Sequence, residues 1–412
     1  MFRLKKTILA TALLTSMAPT ASRLAVAAPT GEELERLLLA GNLADSEQKL
    51  AAMLASEQAD DNVRLALGSA KFLRGLERLM QSLYRYGLKP VQPMGMPIVR
   101  LPVPNNPRPE PLTNEAFRRI ILEFVRDLDA AEKTLAEIDS ADVRLPLHIG
   151  LVRLDVDADG QASVDEALWK VLARIMGPRI DQGTAEGFVV ALDLGDVHWL
   201  RGYCHLLQAA CNAFLAYDTQ ELHDLTAQLF FPTATVRYEF LKDDTGRIWG
   251  NIGDILAFIH LQRLPVVEPA RMSRAREHLL ATIEQSRQSW QAILAEADDE
   301  HEWIPNPRQK NAAVPFVQID DEIVAQWGKV TDELELILKG ERLAPFWRGS
   351  KKQGVNIRRV FEEPRTFDLV LWIQGSAAGP YLEEGEQTSP QLWRETMQLF
   401  RGQFFMFALW VN

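Results

Sequence analysis

Cysteine is almost missing from this chain of 412 residues, which holds only Cys204 and Cys211. A disulfide framework is therefore excluded as the source of its stability. The two stand seven apart in one helical stretch, about 10 Å along a helix axis, too far to bridge, and they read as small buried apolar residues. No CxxCH sequence occurs, which excludes c-type haem. Basic charge is short as well: 45 Lys and Arg face 56 Asp and Glu, a net charge of −11. That balance argues against nucleic acid, whose recognition rests on a basic face. Long apolar runs are absent too. Thr7 to Met17 and the terminal FFMFALWVN both fall well short of the roughly 20 residues a membrane-spanning helix needs. HExxH, GxSxG, Walker A and GxGxxG signatures are missing, so no standard catalytic motif announces an enzyme.

What is present is an ordinary globular composition, 47% hydrophobic and 25% charged, in a chain long enough for a large core or several domains. Arg3, Lys5 and Lys6 precede the short apolar run, and LAVAA follows it, which is the layout of a secretory signal peptide. Cleavage after Ala27 is expected, with a mature chain from Ala28 in the periplasm or outside the cell. Losing residues 1–27 removes four positive charges, leaving 41 Lys and Arg against 56 Asp and Glu, net −15.

Four regions are expected: the signal peptide 1–27, an N-terminal helical region 28–87, a Pro-rich connector 88–112 and a helical domain 113–412. The connector holds eight prolines, which exclude helix and favour an extended path that Met94, Met96, Ile98, Val99 and Leu101 partly pack down. Apolar periodicity predicts a helix from Asn114 to about Ile138, then others near 196–217, 219–231, 251–263, 270–297 and 320–339. Short β-like pieces are expected at 188–193, 235–240, 316–320 and 367–375. These are too few and too short for a large sheet, so the expected fold class is mainly α. The run EADDEHEW, 296–303, reads as a solvated charged turn, with coordination of a second cation by side chains the fold brings together as the alternative. The apolar end Phe404 to Val411 should dock into the body.

The stretch LDVDADGQASVDEAL, Leu154 to Leu168, carries the chemistry. A hard divalent cation wants six to eight oxygens, and a short loop supplies them by alternating carboxylates while it turns sharply. Asp155, Asp157 and Asp159 alternate, Gly160 suits a positive φ, and Glu166 is long enough to close the site with two oxygens. A helix-capping turn would account for Asp165 and Glu166 but not for three crowded like charges upstream. The spacing D-x-D-x-D-G-x5-E resembles the EF-hand calcium loop. That resemblance implies Ca2+ held by Asp155, Asp157, Asp159, the Gln161 carbonyl, Ser163 through water, and Glu166, with a helix from Val164 to Met176 behind it. Ala162 stands where a paired loop would place a larger apolar residue, and no second such loop exists. A lone, embedded site is expected. The segment entering it, LPLHIGLVRL, fits period two as well as a helix.

Residues 34–86 are similar to a tetratricopeptide-repeat junction, with Gly41 and Gly68 spaced 27 apart and Ser46 at the helix contact, although Gln58 replaces the usual proline. A generic helical hairpin fits equally. The expected function is an exported calcium-binding protein in which the ion is a structural staple, with a possible protein partner on the N-terminal helices. The alternative is a periplasmic hydrolase or small-ligand binder whose calcium site is scaffolding.

Overall fold

The structure is a computed structural model describing residues 29–56, 60–89, 101, 103–170, 183, 186–243, 248–312, 319–348, 352–402 and 404–411. The fold is mainly helical with a few short strands, as the apolar periodicity predicts. Helices α1 (Gly31–Leu38) and α2 (Leu43–Leu54) meet at a turn where Gly41 takes φ 78°. Buried Ser46 bonds the Leu37 carbonyl at 2.6 Å across that turn. Helix α3 (Asp61–Arg85) starts where the Asp60 carboxylate accepts the Val63 N–H at 2.8 Å. α4 (Asn114–Leu135) lies along it so closely that a Cβ at Gly68 would run into Leu135.

Helices α5 (Leu194–Leu215) and α8 (Pro269–Ala295) continue the row, so that α3, α4, α5 and α8 each pack on the next. Between them come α6 (Gln220–Thr226) and α7 (Ile248–His260). Then follow α9 (Asp321–Lys339), α10 (Ile357–Glu362), α11 (Leu369–Gln374), α12 (Pro390–Leu399) and α13 (Phe404–Val411). One buried apolar cluster runs from Leu34 to Ala234, taking in Val103 and Leu112 of the Pro-rich segment. Met94, Met96, Ile98 and Val99 lie outside the described residues, while Leu101 packs on this cluster. A second cluster joins Trp290, Ile304, Trp327 and Val330 to Phe400 and Phe404, so the apolar C-terminus does dock.

Among the described residues seven short strands form three antiparallel sheets. β1 (Leu145–Leu147) pairs β2 (Val190–Leu192), and β3 (Arg263–Leu264) pairs β6 (Phe367–Asp368). β5 (Gln353–Val355) lies between β4 (Ala344–Pro345) and β7 (Leu382–Glu384). Two expected β pieces are corrected. In 235–240 the chain is irregular, bends at Arg237 and enters a 3-10 turn at Glu239. Of 367–375 only two residues are strand, because the Asp368 carboxylate accepts the Leu371 N–H at 2.9 Å and starts α11, which Gly375 ends at φ 105°. Part of the piece expected at 316–320 lies outside the described residues.

Candidate metal centre

The chain reaches the acidic loop in extended form. After β1 comes a 3-10 turn, Ile149–Leu151, and then Val152, Leu154 and Val156 are buried while Arg153, Asp155 and Asp157 point away. Period two therefore wins over helix at the loop's entry. The loop closes on itself where the Leu154 N–H reaches the Glu166 carbonyl at 3.2 Å and the Leu168 N–H the Val152 carbonyl at 2.8 Å. The exit is also corrected. Val164–Glu166 is a 3-10 turn, Ala167 is extended at φ −69° and ψ 142°, and helical residues begin only at Leu168. The rest of the expected helix, 171–176, lies outside the described residues.

Inside the loop two left-handed residues, Ala158 at φ 60° and Gly160 at φ 97°, turn the backbone between the aspartates. A Cβ at Gly160 would meet nothing within 4 Å, so the demand for glycine there is conformational rather than steric. The result brings one carboxylate oxygen each of Asp155, Asp157 and Asp159 within 4.8 Å of one another. Backbone N–H groups fix them: Asp155 accepts from Asp159 and Gly160, both at 3.1 Å, and Asp159 accepts from Gln161 at 2.8 Å. Partial burial and the charges of Glu166, Asp159 and Asp155 push the Asp157 carboxyl up.

Glu166 stands apart from that trio. Its Oε1 accepts the Val156 N–H at 2.8 Å and its Oε2 the Ser163 N–H at 2.7 Å. It therefore holds the loop's two flanks together. A cavity of about 320 Å³ beside it is lined by Asp157, Ser163, Glu166 and Lys170 with Met80 and Pro104. The donors available are all hard oxygens, a set that suits Ca2+ or Mg2+ and not a soft metal. Three clustered carboxylates fit a divalent ion, whereas Glu166 would have to give up the Val156 and Ser163 N–H groups to join them. Ser163 sits exposed at the loop's edge, and Gln161 offers its carbonyl.

The rest of the fold grips this loop. Buried Glu77 of α3, ion-paired to Arg74, accepts the Asp155 N–H at 2.8 Å, and Gln81 donates to the Asp155 carbonyl at 2.7 Å. Burial pushes the Glu77 carboxyl up, the Arg74 charge and the Asp155 N–H notwithstanding. Ala162 donates to the Gly41 carbonyl at 3.1 Å, and Arg153 spans from the Ala162 carbonyl, 3.3 Å, to that of Leu39, 3.1 Å. The backbone edge that a paired loop would use is thus taken by the α1–α2 turn.

A second acidic group draws on the run 296–303. The β1–β2 register sets Arg144 opposite Asp193, the N-cap of α5, with 2.9 Å between them. Asp193, Glu296 and Glu302 bring carboxylate oxygens within 4.8 Å of one another, and Glu302 is only 3% exposed. The solvated turn expected at 296–303 is thus corrected: Arg144 also binds Asp298 and draws the segment inward. Burial, then the neighbouring Asp193 charge, raises Glu302 to about 7 and Glu296 to about 9. The signal, an acidic run at a helix end, was visible, but its burial was not.

His198, Cys204, His205 and Cys211 all lie on α5. Cys204 is buried and Cys211 largely so, and burial pushes both thiols up, Cys211 to about 12. His205 faces His278 at 3.1 Å, whereas His198 bonds Gln285 at 2.9 Å, so the two are not brought together. Comparisons with known protein families, with curated proteins and with solved structures find no match for this chain.

Proposed function

We propose that this is an exported calcium-binding protein in which one EF-hand-like loop, Asp155 to Glu166, holds a structural Ca2+. The observation that carries the reading is the convergence of Asp155, Asp157 and Asp159 in a loop clamped by α3 and the α1–α2 turn. Three like charges at that separation repel, and a divalent ion turns that cost into cross-links. Asp155, Asp157, Asp159 and Glu166 supply carboxylate oxygens, Gln161 its carbonyl, and Ser163 a water-mediated contact. Because the loop bridges Gly41, Glu77 and Gln81, the ion tightens the junction of the first three helices rather than a separate sensor module. A protein partner on those helices remains part of the proposal, resting on their similarity to a tetratricopeptide-repeat junction.

A staple that binds only the folded chain stabilises it by mass action, about 2.7 kcal/mol at a hundred times its dissociation constant. Melting of the purified chain in excess calcium and in excess chelator tests this. The reading predicts a lower melting temperature in chelator and restoration on adding calcium. Coincident melting curves would remove the structural role.

A further inference from the structure

Helix α7 carries an apolar stripe on its solvent side. Ile252, Ile255, Leu256 and Ile259 recur at three and four and are 39%, 44%, 61% and 40% exposed. On a globular helix that spacing normally faces the core. The opposite side is the one that packs: Phe258 meets the Phe230 ring at 5.7 Å, and Asp254, the one acidic residue of α7, lies on that side as well. α11 runs beside α7, tied on by the β3–β6 pairing and by the Leu369 N–H to the Gln262 carbonyl at 3.0 Å. It adds exposed Val370, Leu371 and Ile373, and Trp347 is 62% exposed near the far end of α11. Among the described residues no helix is long and apolar enough to cross a membrane.

Cations flank both ends of α11 in a chain that is −11 overall. The acids there are largely committed. Asp368 caps α11, Glu363 pairs Arg359 at 2.7 Å, and Glu362 pairs Arg276 at 2.9 Å. Arg342, Arg358 and Arg359 are ion-paired in turn, but Arg263, 74% exposed and 3.9 Å from Asp368, and exposed Arg365 flank the start of α11, and exposed Arg348 flanks its end. An aliphatic face with an exposed aromatic and a cationic rim is the make-up of a surface that lies in a bilayer interface. A second copy of the chain is disfavoured, because a two-fold contact would press the same arginines against each other.

We propose that the α7–α11 face docks on an anionic lipid bilayer, inserting Leu256 and Ile373 while Arg263, Arg348 and Arg365 meet headgroup phosphates. Flotation with vesicles tests this, using the purified full chain and variants that share one N-terminus, at fixed calcium. Equimolar phosphatidylglycerol and phosphatidylcholine vesicles should bind the chain at least tenfold more tightly than pure phosphatidylcholine. Leu256→Asp with Ile373→Asp should weaken that binding at least tenfold, with the helical circular dichroism unchanged. Should that pair fail to fold, Arg263→Gln, Arg348→Gln and Arg365→Gln keep the test open, each expected to weaken binding about fivefold. Absence of binding to the anionic vesicles, or equal binding by native chain and arginine variants, would overturn the proposal. So would a dimer in sedimentation that Leu256→Asp dissociates while vesicles are ignored.

Discussion

Replacing Glu302 by Gln should make the protein more stable in alkali, by an amount that follows from its surroundings. Glu302 is 3% exposed, with Asp193 and Glu296 close by, and its carboxyl titrates at about 7 in place of 4.5. Between those values the folded chain keeps a proton that the unfolded chain has released, so stability falls as pH rises through that window. At ~1.4 kcal/mol per unit the whole window is worth about 3 kcal/mol, and the part from pH 5.5 to 7 about 2 kcal/mol. Glutamine keeps an acceptor for the Glu300 N–H, which bonds Glu302 at 3.2 Å, but carries no charge. His198, His223 and His278, all held below their ordinary range chiefly by burial, bend the curve the other way just below neutrality. They are common to both proteins and cancel in the difference. Urea unfolding followed by tryptophan fluorescence at pH 5.5 and pH 8, at fixed calcium, measures it. The native chain should lose about 2 kcal/mol more than the variant over that range. A difference that stays constant with pH would refute the buried-carboxylate account.

Two further substitutions probe the scaffold and the loop. Gly68→Ala should destabilise by about 1–3 kcal/mol in chemical denaturation, although alanine favours helix, because its Cβ collides with Leu135 at the α3–α4 contact; an unchanged or raised midpoint would mean that α4 yields freely. Gly160→Ala should cost about 1 kcal/mol and weaken calcium binding several-fold, since φ 97° is strained for any residue with a Cβ while the space around it is open. Equal calcium affinity in the variant would show that the turn does not set the ligand geometry.

The long helices were legible because their apolar stripes repeat over several turns, as in α4, where Ile120, Ile121, Phe124 and Leu128 are all buried. The acidic loop was legible because five positions had to agree, and the fold brings three of its carboxylates together. Its grip was not. Glu77 and Gln81 look like ordinary polar helix residues until the fold lays the Asp155 backbone against them. The solvent-facing stripe of α7 has the periodicity of a core helix, and only its neighbours reveal which side is covered. α11 was hidden for another reason. Its β-branched and aromatic residues suggest a strand, whereas Asp368 before it and Gly375 after it are a helix start and stop that outweigh them.

Calorimetric titration of the chain with calcium, beside an Asp155→Ala plus Glu166→Ala variant, tests the central claim most directly. The native chain should take up a single ion with measurable heat, and the variant, deprived of one member of the aspartate trio and of the closing carboxylate, should show only dilution heats. Equal heats from the two proteins would contradict the assignment of Asp155 to Glu166 as a calcium loop.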